Sequence, residues 1–341
     1  MTANTWTVDR AAEALRAAES TRTARHPITE DWPELDLGTA YQVQSELMVD
    51  RVAGGEKIIG VKLGLTSRAK QRRMGVAAPL TGWLTDGMVL DAGAPMPVER
   101  LIHPRVEPEI VFMLGRRLAG PGVTPAAAMA AVRSVSAGLE VIDSRYRDFR
   151  FTLADVVADN ASAARFVVGD VEVDPAGLDL ALEACVLGVG GAVVDTATGA
   201  AVQGHPARAL ALAANSLAER GLALEEGWIV LTGGMTDAVP LEPGRPVTAE
   251  FTHLGTLTVS CGGPPQVANR KRKLPLLTGT TSSACTGQLR LAISRRRPLF
   301  TGGYGLLLTT FSPAASGNGW LLLDRHSGHG EVHAASVVPV E

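Results

Sequence analysis

Apolar and polar positions alternate most clearly between Arg105 and Leu114. Val106, Ile110, Phe112 and Leu114 fall on one side of a strand, and Glu107 and Glu109 fall together on the other. At that spacing the two Cα atoms lie roughly 6.5–7 Å apart. Pro108 between them has no N–H and biases Glu107 towards an extended conformation, which predicts an edge strand or a strand entrance beside a cleft. A second strand is predicted over Gly138–Tyr146, with Leu139 and Val141 on one face and Glu140 and Ile142 on the other. Between the two, Thr124–Ser136 reads as an Ala-rich helix with Pro125 in its first turn. If that helix returns the second strand beside the first, Glu140 joins Glu107 and Glu109.

Ala11, Leu15 and Ala18 have helical spacing, which predicts a helix over Val8–Ser20 started by Thr7 or Asp9. A second helix is predicted from Gly38 to Val52, so that the two form an N-terminal helical layer. The strand expected over Lys57–Thr66 puts Ile58, Gly60, Lys62 and Gly64 on one face. Lys62 is thereby flanked by glycines that permit a close approach, although a snorkelling surface position also suits a lysine. Ser67–Met74 reads as a short basic helix, with Arg68, Lys70, Arg72 and Arg73. Asp155–Gly169 combines a polar turn with a strand. Asn160 and Ser162 in that turn can hydrogen-bond a carboxylate or a carbonyl, or simply make the turn. The later chain is strand-rich. Strands are predicted over Leu180–Leu187 and Ala192–Asp195, then a helix from Gly204-His205-Pro206 to Arg220. Trp228–Pro240 reads as a strand ending in a glycine loop at Thr232-Gly233-Gly234, and Val247–His253 with Thr256–Ser260 as a closing hairpin. Such a loop either presents N–H groups to an anion or merely turns.

Composition adds mostly exclusions. A chain of 341 residues with 46% hydrophobic content can bury a substantial core. A net charge of −3 leaves no footprint for nucleic acid or a membrane surface. Cys185, Cys261 and Cys285 lack the spacing of a disulfide framework or a zinc site. No basic-then-apolar leader or membrane-length apolar run is present, so a soluble, cytoplasmic protein is expected. From residue 265 onward nine basic residues stand against three acidic ones, with 23 against 32 in the rest of the chain. Periodicity fades there too. The expected organisation is an N-terminal α/β layer over 1–75, a metal-binding catalytic domain over 76–263 and a basic, loosely ordered extension over 264–341.

Two carboxylates converging on one point repel unless a cation lies between them, and hard oxygen ligands suit Mg²⁺ or Mn²⁺. The same Glu-x-Glu spacing also suits a solvated strand face.

Several ordered motifs, Gly60-Val-Lys62-Leu-Gly-Leu-Thr66, His103-Pro-Arg-Val-Glu107-Pro-Glu109, Leu139-Glu140-Val-Ile-Asp143-Ser-Arg145, Val157-Ala-Asp159-Asn160-Ala-Ser162, Gly204-His-Pro206 and Leu231-Thr232-Gly-Gly234, resemble those of the 2-oxopent-4-enoate hydratase and 4-oxalocrotonate decarboxylase family. That family lies within the fumarylacetoacetate hydrolase-like superfamily. The resemblance spans about Val8–Cys261. It implies an α+β fold, with an N-terminal helical layer packed on a mixed β-roll. It further implies that Glu107, Glu109 and Glu140 hold Mg²⁺ or Mn²⁺ and that Lys62 lies in the substrate pocket. The segments around Lys62, Asp143 and Thr232 look more like the decarboxylase than the hydratase.

The expected reaction is metal-dependent loss of CO₂ from 2-oxohex-3-enedioate to give 2-hydroxypenta-2,4-dienoate, in meta-cleavage degradation of aromatic compounds. In that scheme Lys62 stabilises the enolate or moves a proton. Asn160, Ser162 and Thr232 are the expected substrate contacts, with Arg145 or the segment Arg68–Arg73 receiving the distal carboxylate. Other readings are a dienoate hydratase on the same metal, a C–C bond hydrolase using His26, and a non-catalytic partner of a hydratase and decarboxylase complex. A homo-oligomer is expected, and no nucleic-acid or membrane partner.

Overall fold

The computed structural model describes residues 6–68, 71, 72 and 78–261. The extension expected over 264–341 and residues 69, 70, 73 and 74 of the basic helix expected over 67–74 lie outside the described residues.

The N-terminal layer is formed by α1 (Val8–Thr21), the short α2 (Ile28–Asp31) and α3 (Leu37–Ala53). Thr7 rather than Asp9 caps α1, its hydroxyl accepting from Arg10 N, and Asp36 caps α3 in the same way. Ala11, Leu15, Val43 and Leu47 bury the faces that these helices turn inward.

The main sheet contains β1 (Ile58–Gly64), β2 (Leu80–Thr85), β3 (Arg105–Leu114), β4 (Val132–Ile142), β5 (Ala163–Val168), β8 (Ile229–Leu231) and β9 (Val239–Pro240). Their order is β2-β1-β8-β3-β4-β5, with β9 also beside β3, and only the β1–β8 pair is parallel. Val89, just past β2, bridges to Phe166 of β5, so the two ends of this order approach one another and the sheet curls into a roll. The second sheet, β11-β10-β6-β7, is antiparallel throughout: β6 (Ala184–Val189), β7 (Ala192–Thr198), β10 (Val247–Phe251) and β11 (Gly255–Val259). The strand β1, expected within a separate N-terminal layer, is therefore an interior strand of the main sheet. Further helices are α4 (Pro125–Ala131), α5 (Leu153–Ala158) and α6 (Pro206–Ala218). Among the described residues no helix is long and apolar enough to cross a membrane.

Three expectations fail. The helix predicted over Thr124–Ser136 stops at Ala131, because the β-branched Val132 and Val135 go into the ladder opposite Leu114 and Phe112. The strand predicted from Leu180 begins only at Ala184. β3 is also not an edge. It pairs with β4 along its length, and on its other side with β9 at Arg105–Val106 and β8 at Val111–Met113. Pro108 fits because its nitrogen faces the break between β9 and β8. There the glycine loop closes the gap, Met235 N donating to Pro108 O at 2.9 Å and Thr232 N to Ile110 O at 3.2 Å.

Candidate metal centre

The roll has two apolar fillings, and the carboxylates face the smaller. Val106, Ile110, Phe112 and Leu114 join the main core, as their alternation predicts. On the opposite face Val111 packs with Leu84, Met88, Phe166 and Leu231, so Glu109 on that face is fully buried instead of solvated. In the β3–β4 register Glu107 stands directly opposite Glu140. One oxygen from each of Glu107, Glu109 and Glu140 lies within 4.8 Å of the others. The chain thus brings together the three carboxylates that the alternation and the helix between them pointed to.

Lys62 enters from β1. Its Nζ donates to Ala161 O at 3.0 Å and lies 3.0 Å from Glu140 Oε2, a buried ion pair. Burial works to lower the Lys62 pKa, but Glu140, Glu107 and Glu109 outweigh it and hold it above its ordinary value, so the amine is charged. Burial, followed by repulsion from Glu140 and Glu107, drives Glu109 well above the ordinary carboxylate range. Oε1 of Glu109 and Oε1 of Glu140 are buried without a hydrogen-bond donor, while Glu140 Oε2 faces the Lys62 ammonium. Buried anionic oxygens in that state cost free energy unless a cation meets them. Three hard oxygen donors converging on one point fit a divalent ion of the Mg²⁺ type, which keeps open positions for further oxygens.

Other parts of the framework were not foreseen as site residues. The glycine loop does present an N–H to an anion, but the anion is the chain's own: Gly233 N donates to Glu109 Oε2 at 2.6 Å. Gly233 adopts φ +109°, and a Cβ on Gly234 would lie 2.2 Å from Glu107 Oε2. Gly82, opposite Lys62 on β2, leaves the lysine its path, since a Cβ there would be 3.1 Å from Lys62 Cγ and Cδ. Asp143 accepts from Ile102 N and His103 N, both at 2.8 Å, which fastens the start of β3 to the end of β4.

The four residues expected to contact substrate have their side chains engaged within the fold. Asn160 exchanges two hydrogen bonds with the Trp83 backbone, accepting from N at 2.7 Å and donating to O at 3.0 Å. Ser162 donates to Asp159 and Thr232 to Ile110 O. Arg145 pairs with Asp159 through Nε and also donates to the Asp143 and Asp159 carbonyls. These contacts stabilise a turn in which Asn160, Ala161 and Ser162 all have positive φ (49°, 52° and 59°), and that turn aims Ala161 O at Lys62. His26 is an exposed side chain whose charged neighbour is Glu30.

Residues 57–260 match the family model described as fumarylacetoacetate (FAA) hydrolase C-terminal. A 4-oxalocrotonate decarboxylase from a Pseudomonas species is 42% identical over 259 residues, covering 75% of this chain and 98% of that protein. A 2-hydroxyhexa-2,4-dienoate hydratase from Comamonas testosteroni is 39% identical over 72% of this chain and 93% of its own length. Among solved structures, 4-oxalocrotonate decarboxylase from Pseudomonas putida G7 complexed with magnesium and adipate superposes with a TM-score of 0.73 at 39% identity, covering 76% of this chain and all of that one.

Proposed function

The chain belongs to the fumarylacetoacetate hydrolase family, and within it we propose that this protein is a divalent-metal-dependent decarboxylase of 4-oxalocrotonate, 2-oxohex-3-enedioate. The observation that carries the reading is the buried cluster of Glu107, Glu109 and Glu140 with Lys62 against it, in a chain 42% identical to a decarboxylase of that name. Glu107, Glu109 and Glu140 would hold the ion. When bound, a divalent ion supplies Lewis-acid polarisation to the carboxylate and keto oxygens of a 2-oxo acid.

The residues of the chain do the rest. Lys62, held cationic by its carboxylate neighbours, is a positive charge beside the oxygen where negative charge develops. As the C5–C6 bond breaks and CO₂ leaves, its electron pair forms the C4=C5 double bond. The C3=C4 pair moves to C2=C3, and the charge reaches the C2 oxygen. A proton on that oxygen, delivered from Lys62, completes 2-hydroxypenta-2,4-dienoate. The buried strand face around Val111 and Phe166 excludes water from the cluster and so strengthens these electrostatic interactions.

A relative named as a hydratase is 39% identical to this chain, and substrate choice separates the two activities. With magnesium, release of one CO₂ per 2-oxohex-3-enedioate consumed is the expected result. Hydration of 2-hydroxypenta-2,4-dienoate with no CO₂ from the dicarboxylate would instead make the chain a hydratase.

A further inference from the structure

The face of β3 that carries Glu107 and Glu109 continues outward to Arg105, one alternation before Glu107. The register between β3 and β4 is unbroken there: Glu107 stands opposite Glu140, and Arg105 opposite Ile142. Arg105 and Ile142 therefore form the next rung on the cluster's own face, roughly 6.5–7 Å towards the strand ends.

The guanidinium of Arg105 lies over the ring of Phe149, 4.3 Å from its centroid, and His103 stacks on the same ring with centroids 4.8 Å apart. Beside them is a cavity of about 450 Å³, lined by Ile102, His103, Arg105, Phe149, Pro240 and Leu241 among others. Asp148 and Phe149 have φ of 56° and 54°, a costly conformation for an aromatic residue, so the ring is held under the guanidinium by its surroundings. Arg105 is half-buried, and among the described residues it makes no ion pair and no side-chain hydrogen bond. Five N–H donors are left to meet a ligand.

The charges of the cluster leave a place for such a group. Glu107, Glu109 and Glu140 balance a divalent ion and the Lys62 ammonium, so no surplus positive charge remains there for a second substrate carboxylate. Five C–C bonds of an extended six-carbon acid cover about 6 Å, on the backbone's scale of about 3.5 Å per three bonds, which matches one rung of the strand. Arg145, expected in this role, is committed to Asp159.

We propose that Arg105 is the specificity-determining residue for the distal carboxylate of the substrate, pairing with it while the 2-oxo acid end binds at the carboxylate cluster. The inference rests on the 2-oxo acid reading of that cluster given above. A guanidinium meets a planar carboxylate through paired N–H donors. Because this carboxylate departs as CO₂, the contact selects the substrate and does not stabilise the charge that develops at the C2 oxygen.

Calorimetric titration of the full-length, magnesium-loaded protein with 2-oxoadipate and 2-oxohexanoate tests the assignment. The two acids differ only in the distal carboxylate, and neither has the C3=C4 double bond, so binding is read without turnover. Wild type should bind 2-oxoadipate about tenfold more tightly. Arg105→Met should lose that preference with 2-oxohexanoate affinity held within about twofold, and Arg105→Lys should keep part of it, with melting curves confirming folding. Equal wild-type affinities would overturn the proposal, as would a preference that survives Arg105→Met, which would place the distal carboxylate at another group such as the segment Arg68–Arg73. An equal loss for both acids would also overturn it, because Arg105 would then only shape the site. Absence of CO₂ release from 2-oxohex-3-enedioate, with the Arg105-dependent preference intact, would overturn the decarboxylation and leave dicarboxylate recognition standing.

Discussion

Gly234→Ala isolates the geometry of the carboxylate cluster from its chemistry. Gly234 has no positive φ, so alanine is compatible with the backbone, and the obstacle is the carboxylate of Glu107. The added Cβ would lie 2.2 Å from Glu107 Oε2 and 2.6 Å from its Cδ, whereas real Cβ contacts begin near 3.0 Å. The oxygen must therefore retreat by about 0.8 Å. Metal–ligand distances tolerate only about 0.2 Å, so the displacement removes Glu107 from the coordination sphere. Disturbing the surroundings of a ligand typically weakens metal binding 10–100-fold, or about 1.4–2.7 kcal/mol, and displacing a ligand should reach the upper end of that range. The moving atoms end a flexible side chain, so the fold should survive with its melting temperature little changed. Calorimetric titration with Mn²⁺, beside a melting curve of the metal-free protein, reads both quantities. A manganese affinity within twofold of wild type in a folded Gly234→Ala variant would refute the placement of Glu107 in the ion's site.

Three further outcomes follow from the same contacts. Lys62→Met leaves Glu140 and Glu109 buried without their cation and should destabilise the metal-free protein by about 3–5 kcal/mol; added Mg²⁺ should recover much of this but not the activity, as melting curves and turnover would show. Asn160→Ala removes both bonds to the Trp83 backbone and leaves buried groups unpaired, for a loss of about 2–4 kcal/mol in denaturant unfolding, with Asn160→Asp milder because Trp83 N keeps its acceptor. Burial, then Glu183 and Asp195, push the Cys185 thiol up to about 12. Below that pH it remains a thiol, so mass spectrometry after iodoacetamide at pH 8 should find Cys185 unmodified in the native protein and alkylated after unfolding.

The cluster was legible because its causes are local. Period-2 alternation places Glu107 and Glu109 on one face, and a single helix between β3 and β4 is enough to return Glu140 opposite Glu107. What stayed illegible depends on contacts distant in the chain. Glu109 is bonded by Gly233, 124 residues away, and Asp143 holds the backbone of Ile102 and His103 about 40 residues before it. A turn sequence such as Asp159-Asn160-Ala161-Ser162 offers polar groups without saying whether they serve a ligand or the fold. Here Trp83 and Arg145 take them up. Pro108 gives a strand-edge signal in a central strand because β9 and β8 leave a gap that only the assembled sheet reveals.

The most direct test of the account is the rate of CO₂ release from 2-oxohex-3-enedioate at saturating Mg²⁺ in wild type and Glu140→Gln. The amide keeps the shape but removes a charge that serves both the ion and Lys62. The account predicts metal-dependent release by wild type, abolished by a chelator, and a fall of about a hundredfold or more in the folded variant. Undiminished turnover by Glu140→Gln, or wild-type turnover that survives the chelator, would contradict it.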